Sequence, residues 1–149
     1  MEKTVYVCGF CFDLEKTKVV LIKKERPDWQ KGKLNGVGGH VEKYDDDIYC
    51  AMEREFFEET GLNIDERNWA KFSIYIAVDY IVHFMKTFNS EIENVKTTTD
   101  EEIGVYSIPL LNSILNEETT LETIPNLKWL IPMALDNNIL TAQIYNIYN

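Results

Sequence analysis

The feature that most constrains this chain is a glycine pair, Gly38-Gly39, followed by an acidic loop and a helical pattern. Three consecutive aspartates, residues 45–47, suit a helix N-cap and first turn, and Gly61 suits the residue after the helix. At about 100° per residue, the intervening segment places a set of apolar side chains on one arc that should face a core. These residues are Ile48, Ala51, Met52 and Phe56.

Three carboxylates of this predicted helix fall on or beside the apolar arc. Glu55 and Glu59 project into it, and Glu58 lies at its edge. Carboxylates that converge on a half-buried face repel one another, and burying each ion costs several kcal/mol unless it is paired. A bound divalent cation removes that conflict, and oxygen ligands suit Mg²⁺, Mn²⁺ or Ca²⁺. The alternative is an acidic, solvated helix with imperfect periodicity, and helix geometry alone does not choose between the two.

Residues 54–62, Arg-Glu-Phe-Phe-Glu-Glu-Thr-Gly-Leu, match the REUxEExGU half of the Nudix box, in which U is a bulky apolar residue. The glycine pair upstream matches the start of that box, which would span residues 38–62. The chain therefore resembles Nudix hydrolases. The resemblance implies an α/β (α+β) fold, the Nudix α/β/α sandwich, in which a mixed β-sheet is flanked by helices.

The match departs from the family in the acidic loop. The family has a Glu five residues after the glycine and seven before Arg54; here Asp45 satisfies the first spacing and Asp46 the second. One residue is thus inserted, and Asp replaces Glu. In the family that acid orients the Arg, so we expect Arg54 to brace the helix through Asp45 or Asp46.

Composition predicts a single domain over residues 1–149, large enough to bury about two thirds of its unfolded surface. The chain lacks an apolar run of membrane-spanning length and a signal-peptide pattern, so no membrane association is expected. Its three cysteines indicate free thiols in a reducing cytosol. Cys8 and Cys11 should point to opposite faces of a strand, which argues against a metal or redox pair.

The net charge of −10 argues against a nucleic acid polymer as a partner, because phosphate contacts need a basic surface. A nucleotide remains compatible with this charge, since a metal ion can bridge protein carboxylates to substrate phosphates. The chain thus fits a small-molecule nucleotide substrate. A homodimer is compatible with the family, and the sequence does not demonstrate one.

A basic cluster nevertheless precedes the glycine pair: Lys23, Lys24, Arg26, Lys31 and Lys33. It is either a solvated loop or a rim that attracts a polyphosphate and holds what the metal does not. Lys23 is the candidate for the phosphate contact. Trp29, in the same loop, either covers core residues or offers a surface for stacking a base or ribose, and the sequence does not separate these roles.

Runs of β-branched and aromatic residues predict the strands Val5–Phe12, Lys18–Lys24, Lys71–Val78, Tyr80–Phe88 and Ile103–Ser107. Leu110–Leu115 is expected to form a short helix, and a second helical pattern begins at Pro125. The tail from Asn137 to Asn149 suits a final strand. This order of strands and helices agrees with the fold that the resemblance implies.

Two asparagines are candidates for base recognition. Relatives related to MutT, which remove oxidised purine nucleoside triphosphates, place an Asn at the position of Asn35 and an Asn or Asp at that of Asn126. The simpler interpretation of Asn35 is a turn residue beside Gly36, and that of Asn126 is a helix N-cap. Both roles can coexist, because a capping side chain keeps other lone pairs and amide hydrogens.

The resemblance also implies a metal site. Its expected ligands for Mg²⁺ or Mn²⁺ are Glu55, Glu58, Glu59, the Gly38 carbonyl and Glu101, with Glu102 as the second choice at the last position. Glycines let a backbone approach closely, so Gly39 can contact phosphate. Glu58 or Glu101 would take the proton of the attacking water.

Nudix enzymes hydrolyse a nucleoside diphosphate linked to another group. The first hypothesis is a pyrophosphohydrolase that cleaves nucleoside triphosphates, such as 8-oxo-dGTP, to monophosphate and diphosphate. The second is the same chemistry on ADP-ribose, a dinucleoside polyphosphate or a nucleotide sugar. The third is a non-catalytic nucleotide sensor, against which the intact set of Arg54, Glu55, Glu58 and Glu59 argues.

Overall fold

The computed structural model of the protein describes residues 2–111, 122–137 and 142–145. Within these residues, nine strands form one mixed sheet that has a long helix against each face. The strands are β1 (Thr4–Phe12), β2 (Lys18–Lys23), β3 (Lys33–Asn35), β4 (Val37–His40), β5 (Ala70–Ile76), β6 (Tyr80–Phe88), β7 (Glu102–Ser107), β8 (Glu122–Thr123) and β9 (Ala142–Tyr145). The longer helices are α1 (Ile48–Thr60) and α2 (Leu127–Leu135), and residues 108–111 are helical as well.

Strand β1 lies at the centre of the sheet, whose order is β8-β3-β2-β1-β6-β5-β9. It runs antiparallel to β2 and parallel to β6, and it also pairs antiparallel with β4. Strand β7 pairs with β2 off this path. In the pairing of β1 with β4, Val7 lies opposite Gly39 and Cys8 opposite Gly38. The glycine pair is therefore fixed to the middle of the sheet.

Side chains of β1 alternate between two cores, one on each face of the sheet. Phe10 and Phe12 are fully buried in the core that α2 covers, together with Cys8. Val7 and Cys11 belong to the core that α1 covers. The prediction that Cys8 and Cys11 point to opposite faces is thus confirmed, as is the sandwich of a mixed sheet between helices.

The apolar faces of the two helices close these cores. On α1, the predicted arc is confirmed: Ala51, Met52 and Phe56 are fully buried. On α2, the buried side chains are Leu127, Leu130, Ile131 and Ala134. Neither helix of the described residues has the length and apolar character needed to cross a membrane.

Most predicted strands are present with shifted ends. Strand β2 ends at Lys23, and β5 begins at Ala70 and ends at Ile76. The helix expected from Pro125 begins two residues later. The first two residues of the expected helix Leu110–Leu115 are helical, and its other residues lie outside the described part of the chain. In the tail, where a final strand was expected, the structure describes β9.

Helix α1 has defined signals at both ends. The Asp47 side chain accepts hydrogen bonds from the backbone N–H groups of Tyr49 and Cys50, at 2.9 and 2.8 Å. At the other end Gly61 adopts a left-handed conformation, with φ of 72°, and its N–H bonds the Phe57 carbonyl. Both local signals that the sequence carries for this helix are thus used, which fixes the register of its carboxylates.

Replacing Asp47 by Ala should destabilise the protein by about 1 kcal/mol, because two N–H groups at the start of α1 lose their acceptor. The free energy of unfolding, measured by urea denaturation, checks this. The neighbouring Asp46→Ala variant is the matched control, since Asp46 is exposed and should change the value by less than about 0.5 kcal/mol. Equal losses in both variants would contradict the capping role.

Candidate active site

Helix α1 carries Glu55 into a contact with the glycine pair. Glu55 is only 8% exposed, although it is a carboxylate. A Cβ atom built on Gly39 would lie 2.6 Å from its carboxylate carbon, and one built on Gly38 would lie 1.8 Å from the Val7 carbonyl oxygen. Neither glycine leaves room for a side chain. The pair therefore lets β4 lie against both β1 and the carboxylate of Glu55.

Arg54 joins the acidic loop to the carboxylates of α1. Its Nε and Nη2 atoms donate to the two carboxylate oxygens of Asp45 at 3.0 and 2.8 Å. Nη2 also reaches the His40 carbonyl, and Nη1 bonds Glu55 at 2.9 Å and Glu58 at 3.3 Å. Asp45 is therefore the acid that orients Arg54. The hydrogen bond from Arg54 lowers the pKa of Asp45, and Asp45 in turn raises that of Arg54.

Burial raises the pKa of Glu55 and of Glu59 above the usual value for a glutamate. For Glu55 the hydrogen bond from Arg54 opposes this effect. For Glu59 a hydrogen bond from Thr99 opposes it, and the negative charge of Glu101 adds to it. Glu58 differs, because its side chain is 53% exposed. The face of α1 thus holds two carboxylates whose ionised forms lack full compensation within the protein.

Glu101 approaches this group from the loop before β7. It is 4% exposed, and both of its carboxylate oxygens have donors: Lys24 Nζ at 3.0 Å and the backbone N–H of Glu25 at 2.7 Å. Glu102, the second choice from the sequence, is exposed on β7. Of the two acids, Glu101 is the one that the fold turns inward.

Thr99 connects Glu59 to the loop that carries Glu101. Its hydroxyl donates to Glu59 Oε2 at 3.1 Å and accepts the backbone N–H of Glu101, also at 3.1 Å. The sequence reasoning missed this residue, because a threonine 40 positions from its partner gives no local signal. One hydroxyl thus links the Glu59 carboxylate to the backbone of Glu101, in a distant segment of the chain.

A cavity of about 710 Å³ lies beside these residues. Of the residues singled out from the sequence, those that line it are Lys24, Arg26, Trp29, Asn35, Gly38, Gly39 and Glu101. The carboxylates of α1 do not line it, but Glu55 adjoins it directly behind Gly39. Lys23 is not among the lining residues and its side chain is exposed at the end of β2. The cation next to it, Lys24, faces the cavity instead.

Trp29 and Asn35 stand on the walls of this cavity. Trp29 lies in a short 3₁₀ helix and is 59% exposed, so it does not cover core residues. Asn35 accepts the Gly36 N–H through Oδ1 at 2.8 Å and donates to Gln30 through Nδ2 at 3.4 Å. Asn35 thus ends β3 with a local bond to Gly36, and this bond coexists with a position on the cavity.

Asn126 does not make the N-cap hydrogen bond that the sequence predicted. It occupies the N-cap position of α2, but its side chain makes no capping hydrogen bond, so that part of the prediction is wrong. The reason is its backbone, which is already helical at φ of −82° and ψ of −6° rather than extended. Its Oδ1 atom is buried and has no hydrogen-bond partner among the residues that the structure describes, and the residue does not line the cavity described above.

The model of the NUDIX domain matches residues 2–130. The chain belongs to the Nudix family. It is thereby classed among hydrolases that act on nucleoside diphosphate-linked substrates. No curated protein matches the chain significantly.

Solved structures of MutT/Nudix proteins share this Nudix fold. A MutT structure described for Aliivibrio salmonicida and Vibrio cholerae is 22% identical, with a TM-score of 0.67 over 88% of this chain and 98% of that one. The mutator MutT protein of Bacillus halodurans is 16% identical, with a TM-score of 0.66 over 95% and 89%. A MutT/Nudix protein of Enterococcus faecalis is 20% identical, with a TM-score of 0.62 over 72% of this chain and 44% of that one. The chain thus matches less than half the length of the Enterococcus protein.

Nudix enzymes use divalent metal ions, and the donor chemistry of α1 fits one. Glu55 and Glu59 are oxygen ligands on one helix face, and burial disfavours their ionised forms unless a cation lies nearby. Arg54 bonds Glu55 and Thr99 bonds Glu59, and among the described residues these two carboxylates do not form a close group of three ligands with another acid. Among the described residues, three possible ligands do come within 4.8 Å of one another elsewhere, at the start of α1: Asp47, Cys50 and Glu66.

Replacing Asp45 by Asn should lower the free energy of unfolding by about 2 kcal/mol at pH 7, because the paired carboxylate becomes neutral. Arg54 lowers the pKa of Asp45, so this stabilisation is present above the ordinary carboxyl pKa of 3.8. It should therefore disappear as the pH falls through 3.8 and below. Urea denaturation between pH 7 and pH 3 measures the difference between variant and wild type.

Asp46→Asn provides the matched control for that experiment. It removes the same charge one residue away, at an exposed position, and should leave stability nearly unchanged at every pH. A larger effect at Asp46 than at Asp45 would mean that the other spacing of the acidic loop is the one that holds Arg54.

Proposed function

We propose that this Nudix protein is a metal-dependent pyrophosphohydrolase that cleaves a nucleoside triphosphate to monophosphate and diphosphate by attack of water on phosphorus. The observation that carries the proposal is the meeting of three kinds of group at one cavity. Glu101 and the adjoining Glu55 supply carboxylates, Lys24 supplies a cation, and Asn35 and Trp29 supply an amide and an aromatic surface. These are the groups that a metal, a polyphosphate and a base require.

We assign the metal to Glu55, Glu58, Glu59, Glu101 and the Gly38 carbonyl, with Mg²⁺ or Mn²⁺ as the ion. When bound, the ion would neutralise the diphosphate and lower the pKa of a coordinated water. Arg54 does not contact substrate in this proposal. It orients Glu55 and Glu58 while Asp45 fixes its own position.

Glu58 is the better candidate for the group that takes the proton of the attacking water. Its side chain is half exposed, and its contact with Arg54 is long, at 3.3 Å. Glu101, the other candidate, has both oxygens engaged by Lys24 and by the Glu25 N–H. A carboxylate with free lone pairs accepts a proton more readily than one whose lone pairs are already satisfied.

The phosphates would be held by Lys24 and by the backbone at Gly39. Lys24 lines the cavity with little exposure, whereas Lys23 points away from it, so the cation expected from the sequence moves by one residue. Arg26 lines the same wall but is bound to Asp100. We therefore assign the phosphate contact to Lys24, which lies deeper in the cavity than Arg26 and is itself paired with Glu101.

The nucleobase would lie between Asn35 and Trp29, with an oxidised purine such as 8-oxo-dGTP as the substrate to test first. Asn35 presents amide atoms at the cavity, and Trp29 is exposed enough to stack. Asn126, the other base contact expected from the sequence, does not line this cavity, so its part in base recognition stays a prediction; among the described residues its buried Oδ1 has no donor. We further propose a cytoplasmic location, supported by three free cysteines.

A panel of nucleotides tests this function. It contains 8-oxo-dGTP, the common dNTPs and NTPs, ADP-ribose, a nucleotide sugar and a dinucleoside tetraphosphate, each with Mg²⁺ and with Mn²⁺. Products are separated by chromatography. We expect the wild-type protein to release diphosphate from triphosphates. We also expect the Asn35→Ala variant to turn over 8-oxo-dGTP more slowly than wild type. Cleavage of only ADP-ribose, dinucleotides or sugars would overturn the substrate, and binding without turnover would indicate a sensor.

Glu55→Gln should lower kcat by about 100-fold or more. Mutating a residue that only hydrogen-bonds to a metal ligand lowers activity by about 10- to 100-fold, and losing the ligand itself should have a larger effect. The matched control is Glu53→Gln on the same helix, whose Oε2 accepts the Glu66 N–H, a bond that the amide oxygen of Gln can keep. Steady-state turnover and thermal unfolding of both variants are compared with wild type. Full Mg²⁺-dependent turnover in a folded Glu55→Gln protein would refute the metal assignment.

A further inference from the structure

Three consecutive threonines, residues 97–99, fasten the loop before β7 to the rest of the site, and each does so differently. Thr97 Oγ1 accepts the N–H of Ile103, in β7. Thr98 Oγ1 donates to the backbone carbonyl of Glu58, in the last turn of α1. Thr99 Oγ1 donates to a side chain, the carboxylate of Glu59. Only the third bond acts on a carboxylate assigned above to the metal.

The direction of the bonds at Thr99 follows from its partners. The hydroxyl has one proton to donate, and its other partner is the N–H of Glu101, which is itself a donor. The hydroxyl proton must therefore point to Glu59 Oε2. The result is a directed chain from the Glu101 backbone through Thr99 to Glu59, in which each bond polarises the next.

A neutral hydrogen-bond donor beside Glu59 suits a metal ligand better than a charged donor does. A lysine or arginine beside Glu59 would neutralise its charge and compete with a cation for it. The Thr99 hydroxyl fixes one oxygen of Glu59 but leaves the charge and the second oxygen available. The same residue also holds the backbone of Glu101, which brings the second carboxylate to the same side of the site.

We propose that Thr99 is a positioning residue: it orients Glu59, and with it the loop bearing Glu101, to receive a divalent cation. This inference rests on the proposed function, because that function assigns the metal to Glu59 and Glu101. It assigns Thr99 no contact with substrate. Its effect is expected on cation affinity first, and on turnover only through the cation.

The test measures Mn²⁺ binding to the free protein by isothermal titration calorimetry, without substrate. Thr99→Val keeps the shape of the side chain but loses both bonds, and should weaken Mn²⁺ binding about 10-fold, the lower end for an outer partner of a metal ligand. Thr99→Ser keeps the hydroxyl and should bind within about 2-fold of wild type. In turnover assays, the Mn²⁺ concentration for half-activation should rise by the same factor.

Thr98→Val is the matched control. It makes the same substitution in the same loop, and it also removes one hydrogen bond to α1, but that bond ends on a backbone carbonyl. Its Mn²⁺ affinity should equal that of wild type. Equal weakening in Thr98→Val and Thr99→Val, or no rescue by Thr99→Ser, would overturn the proposal and leave a purely structural role for the loop.

The remaining outcomes are also decisive. Thermal unfolding shows whether each variant folds, and Thr99→Ala replaces Thr99→Val if the valine does not fit. Failure of both to fold would make the hydroxyl a requirement of the fold and overturn the proposal. If wild type binds Mn²⁺ but hydrolyses no nucleotide, the proposed function fails while the binding data still decide on Thr99. A wild-type protein without Mn²⁺ affinity would overturn both.

Discussion

The contact between Glu55 and Gly39 is the constraint on which the rest of the site depends. It places the Glu55 carboxylate where burial favours the neutral form. The carboxylate packs against the backbone of Gly39, which has no side chain that could move aside. The nearest compensation is Arg54, which is itself held by Asp45 and by the His40 carbonyl. The sheet, helix α1 and the acidic loop are thus joined through the Glu55 carboxylate, whose charge Arg54 compensates only in part.

A second set of contacts joins segments that are far apart in the chain. Lys24 and Arg26, which follow β2, form ion pairs with Glu101 and Asp100, which precede β7. The first pair is nearly buried and the second is exposed, so the two differ in their contribution to stability. The exposed pair contributes little to stability because water and salt screen it. The buried pair would be costly to break on one side only, since a single charge would remain.

A feature of the fold or of the site could be predicted from the sequence when the residues that determine it lie close together in the chain. Helix α1 and its carboxylate face follow from periodicity and from end signals that lie within a few residues, and they are as expected. The choice between Asp45 and Asp46 depends on the path of an irregular loop, which spacing alone does not give. Lys24 rather than Lys23 lines the cavity because Val20 and Ile22 face the core under α1, and the same alternation carries Lys24 to that side of the sheet. Thr99 acts on a residue of another element, so only the fold reveals it.

The glycine pair has a consequence for how the cavity can change over evolutionary time. Along Gly38 and Gly39 the wall is main chain, packed so closely on Val7 of β1 and on the Glu55 carboxylate that no side chain fits. Substitutions cannot reshape that wall without displacing the sheet or Glu55. Elsewhere the lining consists of side chains, among them those of Trp29 and Gln30 in the short 3₁₀ helix. Substitutions at such positions can change the shape of the cavity while the sheet stays in place, whereas the stretch at the glycine pair is fixed by backbone packing.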